Sequence, residues 1–191
     1  MTWLIAGLVL FLGAHSAQIF AAGWRERVVR RLGAAPWKGL YSLVSLAGFG
    51  LIIFGYGQAR GAAPLYELPP ALAHLTFALV WLGFICIVAA YWPGNHVKRW
   101  LGDPMVFGVG LWALGHLLAN ATPAALALFG SFLVWAMADY ISLRGRERVA
   151  VPTPSAVTLA NTVLVVVVGS ILAGGFALWL HGLLIGVTPL G

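Results

Sequence analysis

Two histidines, His15 and His116, stand inside uncharged apolar stretches, Trp3 to Ala22 and Pro104 to Ala138. An imidazole in hydrocarbon is costly unless its nitrogens find partners, so it either hydrogen-bonds across a helix interface or ligates a metal. Two neutral imidazoles from different helices, in an apolar and aromatic cleft, suit axial ligation of a haem b, since iron is a good partner for imidazole. Interhelical hydrogen bonding competes with that reading, and the residues alone leave both open. His74 and His181 form a second pair near the outer ends of their helices, where hydrogen bonding or solvation is inexpensive. His96 follows Pro93-Gly94-Asn95 and reads as a solvated loop residue, and Asp139 falls within reach of Arg144 as an interfacial ion pair. Cys86 is the only cysteine, which excludes intrachain disulfides, thiolate zinc clusters and c-type haem attachment. It reads as a small buried hydrophobe.

The elements that position these histidines follow from composition. The chain has 191 residues, of which 61% are hydrophobic and 8% charged, with nine Trp. Mean hydropathy is +0.94. About 20 apolar residues suffice to cross the hydrocarbon core, and uncharged runs cover Trp3 to Ala22, Gly39 to Ala59, Leu68 to Val97, Pro104 to Ala138 and Val149 to Gly191. The expected fold class is all-α, an integral membrane bundle forming a single domain over residues 1–191. No hydrophilic stretch is long enough for a second domain. The first run lacks the basic start and the small-residue cleavage site of a signal peptide, and is read as a retained span. The formal charge of +6 comes from short loops between apolar runs, which fits anionic lipid headgroups and not nucleic acid.

Punctuation predicts six transmembrane helices, at about 3–22, 37–58, 70–92, 104–119, 123–141 and 158–184. Asp103-Pro104 and Thr122-Pro123 supply an N-cap followed by proline at the first helical position. Pro69-Pro70 opens the third helix, Pro93-Gly94-Asn95 closes it, and Pro152, Pro154 and Ser155 mark the loop before the last. A reversal at Asn120-Ala121-Thr122-Pro123 places Arg25, Arg27, Arg30, Arg31, Lys38, Lys98, Arg99, Arg144, Arg146 and Arg148 on one side, with Arg60 opposite. The positive-inside rule makes that side cytoplasmic in a bacterial inner membrane, with both termini outside.

Helical spacing gives each histidine an aromatic neighbour one turn away. Gly7, Leu8, Phe11 and Leu12 share the His15 face, Gly108, Trp112 and His116 form an i, i+4, i+8 stripe, and Ser42, Ser45 and Gly48 line the second helix. Phe11 and Trp112 are ordinary packing residues or the walls of a cofactor pocket. A rise of 1.5 Å per residue puts His15 roughly 18 Å below the outer end of its helix and His116 roughly 18 Å from the inner start of its own. Tilt would then allow them to face one another.

The segments Gly23-Trp24-Arg25-Glu26-Arg27, Trp37 to Phe49 (WKGLYSLVSLAGF), Leu111 to Asn120 (LWALGHLLAN) and Leu128 to Phe132 (LFGSF) resemble the NnrU family over most of the chain. That resemblance implies an association with bacterial denitrification and nitric-oxide metabolism. It also implies a distant likeness to 15-cis-zeta-carotene isomerase, a haem b membrane protein with histidine ligands to iron. The two histidine motifs of the isomerase correspond to Ala14-His15-Ser16 and Leu114-Gly115-His116. Two positions depart from the pattern: Ala113 stands where the isomerase has a cysteine, and Gly102-Asp103-Pro104 where many relatives have Arg-His-Pro.

What the resemblance implies is haem b bound between helices, with His15 and His116 as iron ligands and Phe11 and Trp112 as walls. Arg25, Lys38, Lys98 or Arg99 would meet the propionates. The function would be redox or nitric-oxide-linked, or a haem-dependent cis-trans isomerisation of a hydrophobic polyene. The alternative is a cofactor-free accessory or assembly factor for a nitrite or nitric-oxide reductase complex in the membrane. A transporter ranks last, because mid-membrane charge is nearly absent.

Overall fold

The computed structural model describes residues 1–145 and 156–189, and the described residues contain helices and no strand. The helices are α1 (Thr2–Phe20), α2 (Ala22–Leu32), α3 (Ala34–Ala59), α4 (Leu72–Tyr91), α5 (His96–Leu101), α6 (Pro104–Leu117), α7 (Pro123–Gly145) and α8 (Leu159–Ile185). Within α8 a π-helical segment covers Phe176–Leu180. Helices α1, α3, α4, α7 and α8 are long and apolar enough to cross a membrane. Helix α6 is equally apolar but has only 14 residues, about 21 Å against a hydrocarbon core of about 30 Å.

Two short helices join the six anticipated from sequence. Helix α2 is amphipathic and lies between the first two spans, and α5 follows the turn at Pro93-Gly94-Asn95. Asn95, buried to 1% exposure, organises that turn. Its Nδ2 donates to the carbonyls of Ala89 at 3.0 Å and Trp92 at 2.6 Å, while its Oδ1 caps α5 by accepting from the Lys98 amide at 2.8 Å. His96 is not a free loop residue. Its backbone amide and Nδ1 lie 3.0 and 2.8 Å from Thr162 Oγ1, which ties α5 to α8. Thr122 caps α7 as expected, accepting from the Ala125 amide at 3.2 Å. Asp103 precedes α6 without a side-chain cap bond, so Pro104 alone carries the expected start.

In space the helices run α3, α1, α7, α6, α4, α8, each against the next, and α1 and α6 make no close approach. Backbone proximity sets the α1–α3 contact. A Cβ at Gly48 would lie 2.7 Å from Phe11 N, and one at Gly7 2.6 Å from Ile52 N, so only glycine permits this separation. The core joins Leu4 and Leu8 of α1, Ile52 of α3, Ala113 of α6 and Leu128 and Phe129 of α7. A second cluster, Ile85, Ala89 and Val165, joins α4 to α8, beside the bond from Trp81 Nε1 to Ser170 Oγ at 2.8 Å. Cys86 is buried where α4 meets Gly108, in keeping with a filler role.

The basic residues gather at one end. Helix α2, the start of α3, helix α5 and Arg144 share it, and Tyr140 Oη clamps α7 there by donating to the Leu101 carbonyl at 3.0 Å. Arg144 donates to Tyr140 Oη at 2.7 Å. Arg60 lies at the opposite end, where it donates to the Ile185 carbonyl of α8. Arg146, Arg148, Pro152, Pro154 and Ser155 lie outside the described residues.

Candidate functional site

Each of the two focal histidines is locked by the same device. His15 Nδ1–H donates to the Phe11 carbonyl at 2.7 Å, and His116 Nδ1–H to the Trp112 carbonyl at 2.9 Å, four residues back in both helices. The bond fixes the tautomer and leaves Nε2 as a lone-pair donor. Metal-bound histidines are oriented in this way. Each imidazole also carries an aromatic platform: His15 stacks on Phe11 at 4.2 Å between ring centroids, and His116 on Phe129 at 4.6 Å.

The two imidazoles nevertheless do not face one another. Successive ring contacts lead from His15 to Phe11, on to Phe132 at 5.8 Å, to Trp112 at 5.5 Å and to His116 at 5.2 Å. Three aromatic rings therefore fill the route between them. His15 meets α7 at Trp135 and His116 meets it at Phe129, an offset of six residues or about 9 Å along that helix. His116 lies twelve residues past Pro104, the start of α6 at the basic end, and His15 five residues before Phe20, the end of α1 there, so the two sit at different levels. One iron held by both histidines does not fit this packing. Phe11 and Trp112 wall the two imidazoles separately and meet only through Phe132.

His15 opens instead onto a cavity of about 490 Å³ beneath α2. Pockets for small molecules and cofactors commonly span about 300–1,000 Å³. Helix α1 contributes His15 and Gln18, α2 contributes Arg25 and Val29, and α3 contributes Trp37, Lys38 and Tyr41. Among the described residues, the lining holds two basic side chains and no carboxylate. Among the described residues, Gln18 Oε1 is buried without a hydrogen-bond partner. The donor set therefore combines an oriented imidazole, an apolar and aromatic wall, two cations and an unpaired acceptor.

Of the four basic residues expected near propionates, Arg25 and Lys38 line this cavity. Lys98 Nζ donates to the Ala90 carbonyl at 2.7 Å, and Arg99 shares α5 with it, away from His15. His74 is exposed, and His181 Nδ1–H donates to the Val187 carbonyl at 2.6 Å. A family model, described as NnrU protein, matches residues 3–189. The chain belongs to the NnrU family. Searches of curated proteins and of solved structures find no match to it.

For this NnrU protein, sequence reasoning missed α2 and with it Gln18, Trp37 and Tyr41 as site residues. The signal was present in residues 22–32, where Val28 and Val29 fall on one helical face and Arg27, Arg30 and Arg31 on the other. A second, more open groove of about 510 Å³ lies on the α1–α7 side, lined by Ser16, Phe20, Gly130, Ser131 and Trp135 among others. Trp135 contacts the His15 ring edge-on at 6.0 Å, so the histidine and this tryptophan stand between the two spaces.

Proposed function

We propose that this NnrU protein crosses the bacterial inner membrane six times, with its basic end in the cytoplasm and both termini outside, and binds haem b in the cavity beneath α2. The observation that carries the reading is His15, whose Nδ1 is held by the Phe11 carbonyl and whose ring lines a cavity where Arg25 and Lys38 are the charged side chains among the described lining residues. His15 Nε2 would hold the iron, Arg25 and Lys38 the two propionates, and Trp37 and Tyr41 the apolar faces of the macrocycle. A dicarboxylate is the natural complement of two cations with no carboxylate among the described lining residues.

Bound haem supplies a redox-active iron that takes small ligands such as nitric oxide. The chain's own residues do the positioning. The Phe11 carbonyl accepts from Nδ1–H, the Phe11 ring fixes the imidazole plane, and α2 covers one side of the site with Arg25 and Val29. A nitric-oxide-linked or redox role in denitrification is the activity to assay first, followed by cis-trans isomerisation of a polyene. His116 serves another purpose, holding α6 against Phe129.

Equilibrium haem titration of the detergent-solubilised protein tests this assignment. The Arg25→Gln/Lys38→Gln double variant should bind haem at least about tenfold more weakly, since charge-assisted hydrogen bonds contribute roughly 1.5–3 kcal/mol each. The Lys98→Gln/Arg99→Gln variant should bind like the parent. Equal losses in both, or no saturable binding by the parent, would remove the assignment and leave a cofactor-free accessory role.

A further inference from the structure

Helix α2 is connected to its neighbours by single non-helical residues. Ala21 has φ −137° and ψ 35°, and Gly33 has φ 92° and ψ 161°, a backbone conformation that glycine adopts without strain. The helix has no fully buried residue. Its charges divide sharply between two faces. Arg25 is half-buried beside Val28 and Val29 and lines the cavity with Val29, whereas Arg27, Arg30 and Arg31 are exposed on the opposite side with Glu26. At 100° per residue the three exposed arginines fall within an arc of about 100° that faces away from Arg25. Trp24 and Trp37 pack edge-to-face at 5.8 Å beside the helix, a pairing suited to the headgroup layer.

We propose that α2 is a surface strap: anionic phospholipid headgroups bind Arg27, Arg30 and Arg31 and thereby hold Arg25 over the His15 cavity. Complementary charge carries the choice of partner, because the face turned away from the cavity presents three cations against one carboxylate, on the same end of the bundle as Lys38, Lys98, Arg99 and Arg144. Among the described residues only α1 and α3 contact the helix, so headgroup binding decides how long it stays down. The consequence for ligand retention rests on the haem reading of the cavity. The strap itself does not.

Hydrogen–deuterium exchange on the full chain in nanodiscs tests the strap without any ligand. Discs of phosphatidylcholine are compared with discs of phosphatidylcholine and phosphatidylglycerol. Three arginines opposed by one glutamate predict amide exchange in residues 22–32 slowed roughly 30-fold in the anionic discs, with the difference lost in Arg27→Gln/Arg30→Gln/Arg31→Gln and at high salt. Exchange that is equally slow in both discs would overturn the proposal, as would a triple variant that still responds to phosphatidylglycerol. If the triple variant does not fold, the salt series on the parent decides the matter. Haem titration into the same discs separates the two ideas: a strap that responds to lipid charge in a protein that binds no haem upholds the strap and overturns the cofactor.

Discussion

Replacing Gly48 by alanine tests whether the α1–α3 approach positions His15. The added Cβ would lie 2.7 Å from Phe11 N and 3.0 Å from both Phe11 Cα and Phe11 Cβ. Carbon atoms normally rest at about 3.5–4.0 Å, so the helices must separate by roughly 0.5–1 Å. Overpacking of this kind costs about 1–3 kcal/mol. Gly50, two residues away, is the internal control, since a Cβ there meets nothing within 4 Å. Reversible unfolding in mixed detergent micelles should find Gly48→Ala destabilised by about that amount and Gly50→Ala unchanged or slightly stabilised. Phe11 both stacks on the His15 ring and accepts its Nδ1–H, so Gly48→Ala should also weaken haem binding several-fold. Equal stability of the two variants would refute the close approach, and full haem affinity in a destabilised Gly48→Ala would refute its link to the imidazole.

The remaining structural predictions concern the other half of the bundle. Asn95→Ala removes the donations to the carbonyls of Ala89 in α4 and Trp92 just after it, and the cap of α5, and should cost about 1–3 kcal/mol in the same unfolding assay, because buried partners are left unpaired. Trp81→Phe breaks the bond to Ser170 between α4 and α8 and should cost about 0.5–1.5 kcal/mol, with haem affinity unchanged because the site lies on α1, α2 and α3. Loss of haem in Trp81→Phe at full stability would contradict that separation.

The long spans were legible because hydrocarbon length and helix punctuation act locally. Pro69-Pro70, Thr122-Pro123 and Pro93-Gly94-Asn95 bound the observed helices to within a few residues. Length alone does not make α6 a full span, and the difference in level comes from position: His116 lies twelve residues inside the basic end of α6, whereas His15 lies five residues from the basic end of α1. Relative depth and facing direction depend on which helices touch, and no residue spacing discloses that α7 stands between α1 and α6. Helix α2 escaped notice for a different reason. Its arginine-rich amphipathic sequence is not an uncharged run, and no residue spacing places Arg25 beside Lys38 in one cavity.

The most direct measurement is the visible absorption spectrum, oxidised and reduced, of the protein purified with ample haem supply, beside His15→Ala and His116→Ala. A haem held by His15 alone predicts a b-type spectrum that is lost in His15→Ala and retained in His116→Ala. Equal loss in both variants, each folded, would contradict the single-histidine site and require the rings of Phe11, Phe132 and Trp112 to part around a shared iron. A folded, colourless parent protein would contradict the haem account altogether.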